Sequence, residues 1–230
     1  MAFSGDFDGA VAADRLAIEA FGDALAGTDK PLVIAAGLLG VAPGVATERD
    51  GRGGAAASPG FAGRLANAEL TLSLADRGVR TSVLRLPPTV HGDGDNGFIS
   101  FQVGIARDKG VSGYIGDGTN RWSAVHRVDA ATLFRLALEG APAGTVLHAV
   151  ADEGVPVRDI AEVIGRQLDL PITEIAPVDA AAHFGWLAGM LAADGAASSA
   201  ITQDLLGWHP SQPGLIEDLE KGHYFTGAHA

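Results

Sequence analysis

The run His91-Gly-Asp-Gly-Asp-Asn-Gly97 sets a titratable ring, two carboxylates and three glycines within one short stretch. Gly92, Gly94 and Gly97 spell G-x-G-x-x-G, the spacing of a dinucleotide phosphate cradle. Such a cradle comes directly off a strand and opens a helix, with backbone N–H groups facing the anion. Here Pro87 and Pro88 intervene, and Asp93 and Asp95 place negative charge where a pyrophosphate would lie. In a poorly solvated site that repulsion costs roughly several kcal/mol. A calcium loop needs acids at its first, third and fifth positions and a bidentate acid at its twelfth. Asp93 and Asp95 supply two, Gly97 fails the third, and Val103 and Gly104 offer none. What remains is a Gly/Asp turn ahead of a helix. Within it His91 is either an acid or base working near neutral pH or a solvent-facing loop histidine.

Other chemistry-bearing residues are sparse. The tyrosines are Tyr114 and Tyr224 and the lysines Lys30, Lys109 and Lys221, so no lysine follows a tyrosine by four. With no cysteine, disulfides, thiolate metal sites and cysteine nucleophiles are excluded. No His/Asp/Glu grouping has metal-ligand spacing, and no metal is expected. His126 and Asp129 sit at a helix start, where a structural cap competes with a ligand contact. Arg121 and Trp122 read as ligand contacts or, for Trp122, as plain packing. His148 lies in an apolar strand and reads as a core histidine. His183 and Trp186 face either a core or a cleft.

The elements that must position these residues alternate. "KPLVIAAG" is a continuous apolar run of the kind found in buried parallel strands, "VRTSVLRL" and "TVLHAV" read as further strands, and a short strand is expected near "VSGYIG". Between them lie helical patterns, the first carrying Val11, Leu16, Ile18, Phe21 and Leu25 on one stripe and stopping at Gly27. Residues 43–60 read as a Gly/Pro/Ala-rich loop. The alternation predicts an α/β fold, a doubly wound parallel sheet over about residues 1–170, followed by a small, mostly helical lobe over 171–230. With 47% hydrophobic and 19% charged residues a sizeable core is expected. A net charge of −12 argues against nucleic-acid binding. No apolar run suits a membrane span and the N-terminus carries no signal-peptide pattern, so a cytoplasmic location is expected.

Two segments carry a family resemblance. "VLRLPPTVHGDGD" resembles the strand and loop of the extended short-chain dehydrogenase/reductase family, the nucleotide-sugar epimerases and dehydratases. Arg85, Pro87, Val90, Gly92, Gly94 and Asp95 match, with His91 in a tyrosine slot. "GDGTNRWSAVHRVDAATLF" is similar to a second family segment at Gly116, Gly118, Val125, His126, Asp129 and Ala131. The resemblance covers about residues 8–170, and "HFGWL" and "LGWHPSQPGLIEDL" extend it toward an NAD-dependent epimerase/dehydratase-like branch. It implies a Rossmann-like sheet and NAD or NADP as cofactor, with Pro88, Thr89 and Val90 at the nicotinamide end. It also implies a small polar, sugar-like substrate near Gly92, Asp95, Arg121, Trp122, His126, His183 and Trp186, with His91 the candidate catalytic group.

Two family features are missing. The Gly-x-x-Gly-x-x-Gly turn after a first strand has no counterpart, as if the text began just past the fold's fourth strand, with "MAFS" as its tail. The absent part would be on the order of 60–70 residues, so tight NAD(P) binding by the chain as given is not expected. Where the family's Tyr-x-x-x-Lys falls, "PGFAGRLANAEL" offers Phe61 and Leu65, or Gly60 and Arg64. Two functions therefore stand: an NAD(P)-dependent oxidoreductase relative, or a non-enzymatic domain of the same descent that binds a ligand or protein. An apolar edge or helix face left open predicts a homodimer or poor solubility.

Overall fold

The computed structural model describes residues 6–51 and 59–226, without the side chains of 59–61. "MAFS" and the middle of the 43–60 loop fall outside the described residues, as does the Phe61 side chain. The strands are β1 (Pro31–Gly37), β2 (Arg80–Leu86), β3 (Thr89–His91), β4 (Ser112–Ile115), β5 (Arg121–His126), β6 (Thr145–His148), β7 (Asp152–Pro156) and β8 (Ile172–Ile175). The helices are α1 (Phe7–Leu25), α2 (Pro59–Ser73), α3 (Phe98–Lys109), α4 (Arg127–Gly140), α5 (Val157–Leu168), α6 (Ala180–Phe184), α7 (Ala188–Leu191), α8 (Ala200–Leu206) and α9 (Leu215–Glu220).

"KPLVIAAG", "VRTSVLRL" and "TVLHAV" form the parallel sheet expected of them, in the order β1-β2-β6, with Ile34 opposite Val83 and Leu84 opposite Leu147. Side chains alternate across β2, and each face meets a helix. Val83 packs with Ala36 and Ala68 on the α2 side, while Leu84 and Leu147 pack with Ala130, Leu133 and Ala137 of α4. Helices on both faces of a parallel sheet make this an α/β fold of the doubly wound kind.

Of two further sheets the sequence pattern discloses a single strand, the one near "VSGYIG" that forms β4. β3 and β5 pair in parallel and β5 pairs antiparallel with β7, while β4 pairs with β8. Past residue 171 the chain supplies short helices, in keeping with a mostly helical lobe, and one strand, β8, that the sequence pattern did not place. Within that lobe the helical stretch over 180–194 is broken at Gly185, whose φ is +58°. α5 is the clearest amphipathic helix: Val157, Ile160, Ala161 and Ile164 are all buried at helical spacing. Its apolar face meets Ile99 and Val103 of α3 and Leu215 and Leu219 of α9. Burying a side chain of this size stabilises by about 1.5–3 kcal/mol. α9 is thereby held against β3 and β5, which determines what surrounds His91.

α1 departs from its predicted stripe. Asp6 caps it, accepting the Gly9 N–H at 2.8 Å, and Ile18 packs on Leu74 and Val79. Leu16 and Phe21, assigned to the same apolar stripe, are 67% and 55% exposed. The reason is geometric: α1 packs chiefly against α2, and those two residues point elsewhere.

Candidate functional site

The run 91–97 is a turn with a purpose for its glycines. Gly92 (φ +139°) and Gly94 (φ +79°) occupy backbone conformations that side chains rarely adopt, and a Cβ on Gly92 would lie 3.0 Å from the Arg127 side chain. Asp95 N–H donates to Gly92 O, and the Asp95 carboxylate accepts the Gly97 N–H just before α3. The Asp95 carboxylate stands just ahead of α3, bound to the Gly97 N–H rather than to the helix's first-turn N–H groups, and its charge opposes a phosphate there. The remaining Asp95 oxygen accepts from the Tyr224 hydroxyl at 2.9 Å, and that hydroxyl in turn accepts the Gly92 N–H at 3.1 Å. Burial raises the Asp95 carboxyl above its ordinary range and pushes the Tyr224 phenol well up, so the phenol stays protonated.

His91 is not on the turn but on the last position of β3, and its ring is fully buried. Sequence reasoning expected a ring presented to a ligand; the structure places it inside, for a clear physical reason. α9 brings Asp218, itself buried, to 3.0 Å from Nδ1, and a buried carboxylate holds the imidazole N–H facing it. Nε2 of His91 has no partner among the described residues. Opposite it in the β3–β5 ladder stands His126, the two rings meeting edge to face at 5.4 Å. His126 caps α4 through Nδ1, which accepts the Val128 N–H at 3.3 Å. That bond leaves the neutral ring's proton on Nε2. Burial, then His91, lowers its pKa, favouring this neutral form. Asp129 is buried and accepts the backbone N–H groups of Ser211 and Gln212.

The other expected site residues scatter around this centre. Thr89 is buried in β3 with its hydroxyl unpartnered among the described residues, and Val90 packs in the cluster of Leu84 and Leu147. Pro88 is half-buried beside Gly195. Arg121 is bound to Asp194 by Nε, Nη2 and its own backbone N–H at 2.7–3.1 Å. Trp122 is fully buried, its Nε1 donating to Met190 O, which is the packing alternative. Trp186 is 49% exposed and meets Phe98 and Phe101 edge to face. His183 meets Phe184 edge to face and leans against Gly113. His148 is a core histidine as read: Nδ1 donates to Ser198 O and Nε2 faces the Arg85 guanidinium at 3.3 Å. Arg64, in the segment matching the family's Tyr-x-x-x-Lys, pairs with Asp14 at 2.6 Å.

Sequence reasoning missed Asp218, Tyr224 and Asp194, the partners of His91, Asp95 and Arg121. Each lies 73–129 residues from its mate, so no local spacing could signal it. It also missed Glu48, buried near the carboxyl end of the β1-β2-β6 sheet and accepting from the Thr202 N–H and hydroxyl.

No protein-family model matches the chain. Among solved structures it resembles MoeE5 in complex with UDP-glucuronic acid and NAD, at 24% identity and TM-score 0.69, covering 93% of this chain and 69% of that one. It also resembles a dTDP-glucose 4,6-dehydratase from Bacillus anthracis in complex with NAD, at 16% identity and TM-score 0.71, covering 96% and 70%. At these identities the likeness establishes the Rossmann-like fold. Two fungal sequences are far nearer. Uncharacterized protein YLL056C of Saccharomyces cerevisiae is 42% identical over 91% of this chain and 70% of its own length. Uncharacterized protein C2A9.02 of Schizosaccharomyces pombe is 44% identical over 92% of this chain and 71% of its own. With identity at that level along nearly the whole chain, this protein belongs to the same family as these two fungal proteins.

Proposed function

We propose that this chain serves NAD(P)-dependent oxidoreductase chemistry of the epimerase/dehydratase type on a small polar, sugar-like substrate. The observation that carries the reading is placement: Pro88–Asp95 leave β2 at the carboxyl end of the parallel sheet, where ligands of such sheets lie. That two structures of the same fold hold NAD supports it. The backbone of Pro88, Thr89 and Val90 would border the nicotinamide, which supplies hydride transfer when bound. Gly92, Asp95, Arg121, His126, His183 and Trp186 would border the substrate. His126 is the ring placed to exchange a proton, because it is part-exposed and its cap bond fixes the proton on Nε2. His91, sealed behind it and anchored to Asp218, orients that ring.

A second reading, a non-catalytic domain that binds a ligand or a protein, is favoured by Arg64, whose charge is committed to Asp14 where a Tyr-Lys pair would act. The test is titration with NADH, followed by nicotinamide fluorescence, of the fission-yeast relative and of this chain. Saturable binding by the relative and weaker binding here is expected, since the one Gly-x-x-Gly-x-x-Gly in this sequence, Gly110 to Gly116, runs through strand β4 and opens no helix. No binding by the relative would leave the second reading standing.

A further inference from the structure

Arg121 and Asp194 border a cleft of about 550 Å³, lined also by Asp117, Thr119, Asn120 and Pro177. The cleft adjoins the carboxyl end of the sheet: Gly195, next to Asp194, lies against the side chains of Leu39 and Pro88. Volumes of this order suit a small organic ligand. The solved structures of this fold named above include one with a UDP-sugar bound, whose diphosphate needs cationic partners. The cleft has one guanidinium, and Asp194 occupies it in bidentate fashion while also accepting the Arg121 backbone N–H. The pair holds Asp194 below the usual carboxylate range, so it stays charged. Asn120 is spent as well, its amide donating to Leu191 O and Ala193 O. Asp117 adds a second carboxylate, leaving the lining with net negative charge. The nearby Arg158 is paired with Glu162. A diphosphate entering here would have to strip Arg121 from Asp194 and then sit beside the stranded carboxylate.

Resting on the oxidoreductase reading above, we propose that this cleft takes an uncharged, hydroxylated small molecule, and that Asp194, by holding Arg121, is the residue that excludes nucleoside diphosphates. Asp194 acts on specificity and touches no reacting atom.

The experiment is calorimetric titration of the whole chain with UDP and with UDP-glucose, on wild type, Asp194→Asn and Arg121→Ala. Wild type should show no saturation up to about 1 mM of either nucleotide. Asp194→Asn, which frees the guanidinium, should bind at least about tenfold more tightly than wild type, and Arg121→Ala should gain nothing. Saturation of wild type below about 1 mM overturns the proposal whatever the variants do. So does an Asp194→Asn protein that keeps its circular dichroism spectrum and gains no affinity. NADH titration of the same samples reports on the cofactor reading separately, because neither nucleotide arm requires the dinucleotide.

Discussion

Tyr224 holds its hydroxyl between a backbone donor and a carboxylate, and deleting that one atom has a calculable cost. Tyr224→Phe leaves the Gly92 N–H and one Asp95 oxygen short of a partner in a buried setting, so destabilisation of about 1–3 kcal/mol is expected in urea unfolding. Tyr114→Phe, on a part-exposed ring, should stay within about 0.5 kcal/mol. His91→Ala removes the 3.0 Å partner of Asp218, leaving it His223 at 3.6 Å and Lys221 at 3.9 Å, and should cost about 1–3 kcal/mol. His148 supplies a pH signature. Burial pushes its pKa down to about 4, against about 6.5 in an unfolded chain. The native ring stays neutral while the unfolded one takes up a proton, so this contribution is intact above about pH 6.5 and is lost as pH falls toward about 4. The loss is on the order of 3 kcal/mol. A His148→Gln variant should show a flatter stability profile between those limits. Equal slopes in the two proteins would refute this assignment.

At the scale of elements, α9 offers the sharpest test, because six residues carry both a core contact and a site contact. Leu219 is fully buried among Ile160, Ile164 and Val103, so Leu219→Ala should cost about 2–5 kcal/mol. Because Tyr224 follows the same helix closely, the substitution should also raise hydrogen exchange at Gly92, whose N–H donates to the Tyr224 hydroxyl. The elements also show what a sequence can and cannot disclose. β1 was legible as a continuous apolar run, and β2 and β6 as short stretches rich in Val, Leu and Thr set between helical patterns. α5 was legible because its stripe is regular. β3 was not: it is three residues long, follows two prolines, and exists because β5 lies beside it. The site divides the same way. His91, Asp95 and Arg121 announce themselves by residue type, whereas burial of His91, capture of Arg121 and closure of Asp95 depend on residues that only the tertiary fold brings near.

At the scale of the whole molecule, the outer side of α1 exposes Leu16 and Phe21, and β1 has no strand on its far edge among the described residues. Adjacent apolar surface and an open sheet edge favour association between copies. Sedimentation velocity should show a concentration-dependent shift that Leu16→Glu with Phe21→Glu removes; a monomer unaffected by concentration would count against it. The α9 clasp has a consequence of another kind, in the order of manufacture. His91 and Asp218 are 127 residues apart, and Asp95 and Tyr224 are 129 apart. On a ribosome the helices and the parallel sheet can assemble while these carboxyl-terminal partners are still unmade. Throughout that interval His91 has no carboxylate beside it and the 92–97 turn has no phenol across it. The chain's most chemical stretch takes its shape only after partners made more than 120 residues later have emerged.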